Sequence, residues 1–394
     1  MRDNRSTIRV WLTFTALIAA VIVLSLGASG LWQGKPEKIP DDVPLVFQDG
    51  MTIAEFGRIN ALPNAVLKNA FELQSREDTE KKLDTLNLSR GDIAERITRS
   101  RVLEAEYESK NWVKIPLKFA LWVLFLATVF VLMRRKKITA GIRKVLYLSA
   151  IVAFGILLGS DPSPMGTVKD AIALYGSKGV IFPPRMIALT VFLLLVVIAN
   201  KFICSWGCQL GTLQDLIFRL NRDKGDRKGI VRQYRPPFHW TNGIRIAFFL
   251  IFTWAAFAWA ADLIETIDPF RIYKPATIGL AAGIFIGFIL TASLFVYRPW
   301  CHFFCPFGLV GWFLEKISLF KIVVHNETCI GCRACEKACP STVMGAILMQ
   351  DRTVPDCFAC GTCIEVCPTD SIRLAAGRRT RPPEGKFLPP SHKK

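Results

Sequence analysis

Cys329-Ile-Gly-Cys332-Arg-Ala-Cys335-Glu-Lys-Ala-Cys339-Pro340 is followed, after a short spacer, by Cys357-Phe-Ala-Cys360-Gly-Thr-Cys363-Ile-Glu-Val-Cys367-Pro368. In such a doubled run three closely spaced cysteines wrap one [4Fe–4S] cube, and the fourth reaches across to the other cube. The proline after each run turns the chain away. The expected ligand sets are therefore Cys329, Cys332, Cys335 and Cys367 for one cluster, and Cys357, Cys360, Cys363 and Cys339 for the second. A zinc site needs only four ligands, usually two Cys-x2-Cys units, and two repeated runs with both prolines exceed that.

Working outward, the chain has 394 residues, of which 51% are hydrophobic, and its mean hydropathy is +0.32. Apolar residues bunched at that level predict membrane spans. The formal charge of +18 would suit nucleic acid. Its basic clusters flank apolar stretches, however, where lysine and arginine set membrane orientation, so nucleic-acid binding is excluded. Of the twelve cysteines, the four outside the double run form two identical pairs, Cys204-x3-Cys208 and Cys301-x3-Cys305. Cluster chemistry needs a reducing compartment, which assigns the tail to the cytoplasm.

The predicted fold is mainly α: a six-helix transmembrane bundle, a small helical extracytoplasmic domain, and a C-terminal cytoplasmic 2[4Fe–4S] ferredoxin-like (α+β) domain. Residues 1–32 carry Arg2, Arg5 and Arg9 ahead of an apolar run from Val10 to about Leu31. That run is longer than a signal-peptide core and predicts a retained anchor, although Ala28 and Ser29 resemble a cleavage point. Residues 33–113 form the extracytoplasmic unit, with Pro36, Pro40 and Pro44 as an extended lead-in. Thr52 three residues before Glu55 predicts a capped helix start, Leu62-Pro63-Asn64 a break, and Leu83, Leu86, Leu88, Ile93 and Ile97 further helix. The unit holds no cysteine or histidine, so its role is a docking surface or a structural insert.

Residues 114–320 are the transmembrane core. Spans are expected over Ile115–Met133, Val145–Gly159, Met186–Asn200, Ile244–Ala261 and Thr277–Tyr297. Val145–Gly159 is short, and charge decides it. With it, the basic stretch from Arg219 to Arg235 (Arg222, Lys224, Arg227, Lys228 and Arg232 between them) and all twelve cysteines face the cytoplasm, as do both termini. Asp161-Pro162 and Asp268-Pro269 each precede a span that ends in a cysteine pair, with Gly211 and Gly308 after the pairs. This internal repeat predicts a pseudo-symmetric core. Residues 321–376 are the cluster domain, and the basic, proline-rich 377–394 are expected to be disordered.

Cysteines spaced i, i+4 share a helix face. Two such faces at the inner span ends would converge on one iron–sulfur or metal centre at the membrane surface. A reversible dithiol, a transient copper or quinone contact, and plain burial are the alternatives. Trp206, Trp300, Phe303 and Phe304 are expected as interfacial belt residues, and His302 as a ligand, a proton carrier or a surface histidine. None of His239, His302, His325 and His392 falls in an expected span, which excludes bis-histidine haem in the membrane. No glycine-rich dinucleotide fingerprint follows a strand.

Spans ending in Cys204-Ser-Trp-Gly-Cys208 and Cys301-His-Phe-Phe-Cys305-Pro306, ahead of two ferredoxin runs, resemble the NapH/NosR-type membrane ferredoxins over roughly Leu117 to Leu374. The resemblance implies a multi-pass iron–sulfur electron-transfer subunit of the bacterial cytoplasmic (inner) membrane. Its implied partners are lipid, quinone or quinol as mobile carrier, and a redox protein such as a periplasmic reductase, a cytochrome or a ferredoxin-type subunit. Gln209 stands where that family usually has proline, and the extracytoplasmic unit is unlike the flavin domain of the NosR branch. The FixG/CcoG-like group shares the cysteine pairs and implies a copper reductase instead. A redox-sensing regulator is the third expectation.

Overall fold

The computed structural model describes residues 4–32, 44–75, 77–383 and 385–387. Arg2, Pro36, Pro40, His392 and the last residues of the expected tail lie outside the described residues. The protein is mainly helical, with a small C-terminal sheet. Four helices are long and apolar enough to cross a membrane: Arg5–Ala28, Lys114–Arg134, Ala140–Leu157 and Phe238–Trp259. Pro183–Ala199 and Leu280–Ala292 are apolar but shorter, so the remaining two expected spans are present only as short helices. Both stop where the chain turns into a cysteine pair.

Ala140–Leu157 is α-helical to Ala150 and π-helical from Ile151 to Leu157. The wider turn coincides with a close approach, since a Cβ on Gly155 would lie 2.4 Å from the Tyr273 ring. The helix Pro164–Lys178 has no counterpart among the expected elements. Its signal was nevertheless present in Ser163, which caps Gly166 N at 3.0 Å, and in Pro164 at the first helical position. His239 falls in the first turn of Phe238–Trp259, ahead of the expected span start.

The unit before Lys114 has its own core of Met51, Ile53, Phe56, Val66, Leu67, Ile93 and Ile97. Thr52 and Glu55 form a reciprocal capping box, and Pro63 precedes the next helix, Asn64–Phe71. A second, continuous core runs from Val10 and Phe14 through the long helices into the cluster domain at Ile347, Ile372 and Leu374. That domain is closed by Phe320–Val324 pairing antiparallel with Ile372–Ala376.

The segment expected to be disordered from residue 377 packs onto the cluster domain as far as Phe387. Arg379 Nε donates to Ile322 O at 3.1 Å, and Gln350 Nε2 to Thr380 O at 2.7 Å. Phe387 is buried. Composition marked this stretch as polar, and what holds it is Arg379 on a strand carbonyl together with Gln350 on the Thr380 carbonyl.

Candidate metal centres

Two cavities lie in the C-terminal domain. One is lined by Cys329, Cys332, Cys335 and Cys367, with Phe387 from the tail as part of its wall. The other is lined by Cys339, Cys357, Cys360 and Cys363. The fourth cysteine of each run thus crosses to the other run's cavity. Gly331 (φ +70°) and Gly361 (φ +79°) provide the left-handed turns that fold each loop around its cavity. Burial pushes the Cys335 and Cys357 thiols up to about 12, so these sulfurs keep their protons until a bound metal displaces them into solvent. Burial acts the same way on Cys360, but Arg219 outweighs it, helped by Arg143, and brings that thiol below its ordinary value. Hydroxyls two residues on approach three of the sulfurs: Ser341 on Cys339 at 3.7 Å, Thr362 on Cys360 at 3.5 Å and Thr369 on Cys367 at 3.8 Å. Four thiols around each cavity, with polar contacts on the sulfurs, fit a [4Fe–4S] cube.

The cysteine pairs do not lie on continuous helix faces. Cys204 is in the short helix Phe202–Trp206, and Cys208 caps the next helix, Gln209–Leu220. Cys301 is in Pro299–Phe303, and Cys305 caps Pro306–Leu314. The breaks fall at Gly207 and at Pro306, which cannot supply the N–H that an uninterrupted helix needs. All four thiols are buried and are one another's electrostatic neighbours.

The glycine seven residues after the first cysteine of each pair fixes the crossing. A Cβ on Gly211 would lie 2.3 Å from Cys204 O, and one on Gly308 would lie 2.7 Å from Cys301 O. Gly211→Ala should therefore lower stability by about 1–3 kcal/mol, read as a lower denaturation midpoint at unchanged iron content in the C-terminal domain.

The first pair is followed by a residue that reaches across the length of a neighbouring helix. Ala140 N, at one end of its span, donates to Glu365 Oε1 at 2.7 Å. Gln209 Nε2 donates at 2.9 Å to Ser160 O, beyond the opposite end of that span. Gln209, next to Cys208, thus lies toward the end of that helix opposite the cluster domain. Gln214 Oε1 lies 3.7 Å from Cys301 Sγ, while its amide nitrogen is buried with no partner among the described residues. An acceptor beside the four sulfurs would satisfy that nitrogen.

Trp206 and Trp300 are fully buried rather than interfacial. Trp206 Nε1 donates to Ala359 O at 3.2 Å, tying the first pair to the second cluster loop. His302 is also buried, with Nδ1 3.1 Å from Arg298 O and its ring against Tyr297 and Phe358.

A set of buried charges joining the pair loops to the cluster domain escaped the sequence reading. Lys201 and Arg245 both pair with Asp356, Arg245 at 2.9 Å. Lys201 Nζ also donates to Gly308 O at 2.7 Å, and Arg245 to Cys301 O at 3.2 Å. Arg298 donates to Cys204 O at 2.7 Å and to Asp215 at 2.5 Å, and its guanidinium stacks 4.7 Å over Phe358. Arg143 donates to Cys360 O at 2.9 Å and to Asp226 at 2.7 Å. Arg219 and Arg222, expected in an exposed orienting cluster, are buried on Asp226. One signal was legible: Lys201 and Arg298 each stand three residues before the first cysteine of a pair.

Comparison with known proteins gives the same division. Residues 322–374 match the model of a 4Fe-4S dicluster domain, and residues 181–227 and 278–325 each match that of a 4Fe-4S binding domain. The chain is 31% identical over 196 residues to YccM of Escherichia coli, which is named for electron transport; the match covers 47% of this chain and 54% of that protein. It is 25% identical over 205 residues to the ferredoxin-type protein NapH of E. coli, covering 48% and 69%. To NapH of Haemophilus influenzae it is 25% identical over 211 residues, covering 51% and 67%. The chain thus spans about half the length of YccM. No solved structure matches it. With both cysteine pairs and the dicluster run on one chain, the protein is similar to these NapH-type ferredoxins over about half of its length.

Proposed function

We propose that this protein is a membrane-bound electron-transfer subunit linking the quinone/quinol pool to a partner redox protein, with six spans and both termini in the cytoplasm. Cys329, Cys332, Cys335 and Cys367 hold one cube, Cys357, Cys360, Cys363 and Cys339 the second, and Cys204, Cys208, Cys301 and Cys305 a third centre. Such clusters supply reversible one-electron transfer when bound.

One observation carries this function: the two four-cysteine cavities differ in exposure and in what they touch. Cys357 and Cys363 are buried in a loop beside a network in which Arg143, Lys201, Arg219, Arg245 and Arg298, each paired with a buried carboxylate, reach Cys360 O, Thr362 and Phe358. Burial and that hydrogen-bond network tune the potential of a cube held there. Cys332 is exposed, beside Ile330 at 66% exposure, and gives a partner close approach to the other end. The third set exposes at most 8% of any of its cysteines. That burial favours a resident centre over a site loading copper from solvent.

Low-temperature paramagnetic resonance during a redox titration, with and without a quinol analogue, tests the assignment. The wild type should give two interacting cube signals that quinol reduces. A Cys204→Ser/Cys301→Ser double variant should keep both signals and lose their reduction by quinol. Unimpaired quinol reduction in that variant would make the pairs structural.

A further inference from the structure

We propose that the cleft between the first turns of the helix Phe238–Trp259 and the Thr342–Pro355 segment binds the head group of a hydroquinone. This placement rests on the proposed link to the quinone pool and gives it an address.

The cleft, of about 590 Å³, has one wall from a helix able to cross a membrane (His239, Asn242, Gly243, Ile246) and the other from the cluster domain (Thr342, Asp351). A ligand there touches both lipid and the iron–sulfur unit. The cleft shares Phe238, Thr342 and Pro355 with a second, smaller cavity lined by Tyr297, His302 and Pro340. Pro340 follows Cys339, which lines the second cluster cavity. In the cleft itself, Pro355 stands two residues before Cys357, which lines the same cluster cavity.

Its chemistry suits an aromatic ring with two oxygens. Imidazole, amide, hydroxyl and carboxylate groups at His239, Asn242, Thr342 and Asp351 alternate with Phe238, Ile246 and Pro355. His302 Nδ1 is taken by Arg298 O, and its other nitrogen has no partner among the described residues. An apolar tail also has a path. Gly243, Ile246, Leu250, Trp254 and Phe257 recur at three- and four-residue spacing, which puts them on one face of the helix. Leu250, Trp254 and Phe257 are more than half exposed. A polar niche continued by an apolar stripe on a spanning helix matches a ring carrying an isoprenoid chain.

Gly243 makes the test clean, because a Cβ there meets nothing within 4 Å. Gly243→Phe fills the cleft without displacing the fold. Gly287, in Leu280–Ala292 and equally open, provides the control Gly287→Phe. The holoprotein in detergent is photolabelled with a short-chain azidoquinone, and the labelled peptides are mapped. Label should fall within residues 238–246 and 342–355, and Gly243→Phe should weaken quinone binding about tenfold or more. Gly287→Phe should leave it unchanged, with iron content equal in all three proteins. If Gly243→Phe loses iron, the smaller Gly243→Leu serves in its place. Label elsewhere, or equal affinity in the filled variant, overturns the site. A wild type that is labelled in the cleft yet takes no electrons from quinol overturns the functional proposal and leaves the site standing. A filled variant reduced by quinol as fast as the wild type does the reverse.

Discussion

Replacing Cys335 by serine should remove about four of the roughly eight iron atoms held by the C-terminal domain and abolish one of its two cube signals. Cys335 is buried and shares its cavity with Cys329, Cys332 and Cys367. A serine hydroxyl at that depth is a poor iron ligand. The other cavity keeps all four of its cysteines, because Cys339, although in the same run, points into that second set. The loss should therefore be one cube and no more. Replacing Cys339 instead should remove the second cube while sparing the first, the reverse of what ligand sets confined to one run each would give. Iron analysis with paramagnetic resonance on both variants decides it. Cys335→Ser with wild-type iron would falsify the assignment.

How much of this was legible in the sequence follows from the range of the interactions involved. The cluster loops are local. Their spacing is set by the few residues needed to wrap a cube, so Cys329 to Pro368 could be read residue by residue. The repeat was legible for the same reason, since Gly211 and Gly308 stand at one spacing from their cysteines. What it does in space was not. Periodicity put Cys204 and Cys208 on one helix face, whereas Cys208 caps a new helix and Gln209 reaches the far end of a span. Pro306 stands at the first position of the second-half helix and could have marked that start, whereas Gln209, at the matching place in the first half, carries no such constraint. The buried charges were the least legible. Arg219 and Arg222 beside apolar stretches satisfy the rule for orienting a span, and nothing local tells an exposed cation from one paired with Asp226 across the chain. Trp206 went the same way, because an aromatic at a span end suits an interface or a core equally well until its partner, Ala359 O, is known.

Asp356→Ala should be the most damaging substitution outside the cysteines. Asp356 is 1% exposed and binds Lys201 and Arg245, both 0% exposed. Removing it leaves two buried cations with Glu315, 4.0 Å from Lys201, as the remaining nearby carboxylate. Breaking a buried pair in this way costs about 3–5 kcal/mol, chiefly because the partner charge stays uncompensated. The cost should appear as a lower denaturation midpoint and as loss of the second cube, whose first cysteine is the next residue. Burial opposes ionisation of Asp356, but Arg245 and Lys201 outweigh it and hold the carboxyl at about 2. Against an unfolded value of about 3.9, the stabilisation is fully present above that value and is lost as pH falls through about 2. Asp356→Ala should flatten the acid limb of the stability profile over that window. The damage should also be lopsided. Lys201 and Arg245 hold Gly308 O and Cys301 O, whereas the first pair is held at Cys204 O by Arg298, which keeps Asp215. Alkylation of the variant by a membrane-permeant maleimide should therefore reach Cys301 and Cys305 before Cys204 and Cys208. Equal reactivity of the two pairs would mean that they share a single support, and that Asp356 does not hold the second pair separately from the first.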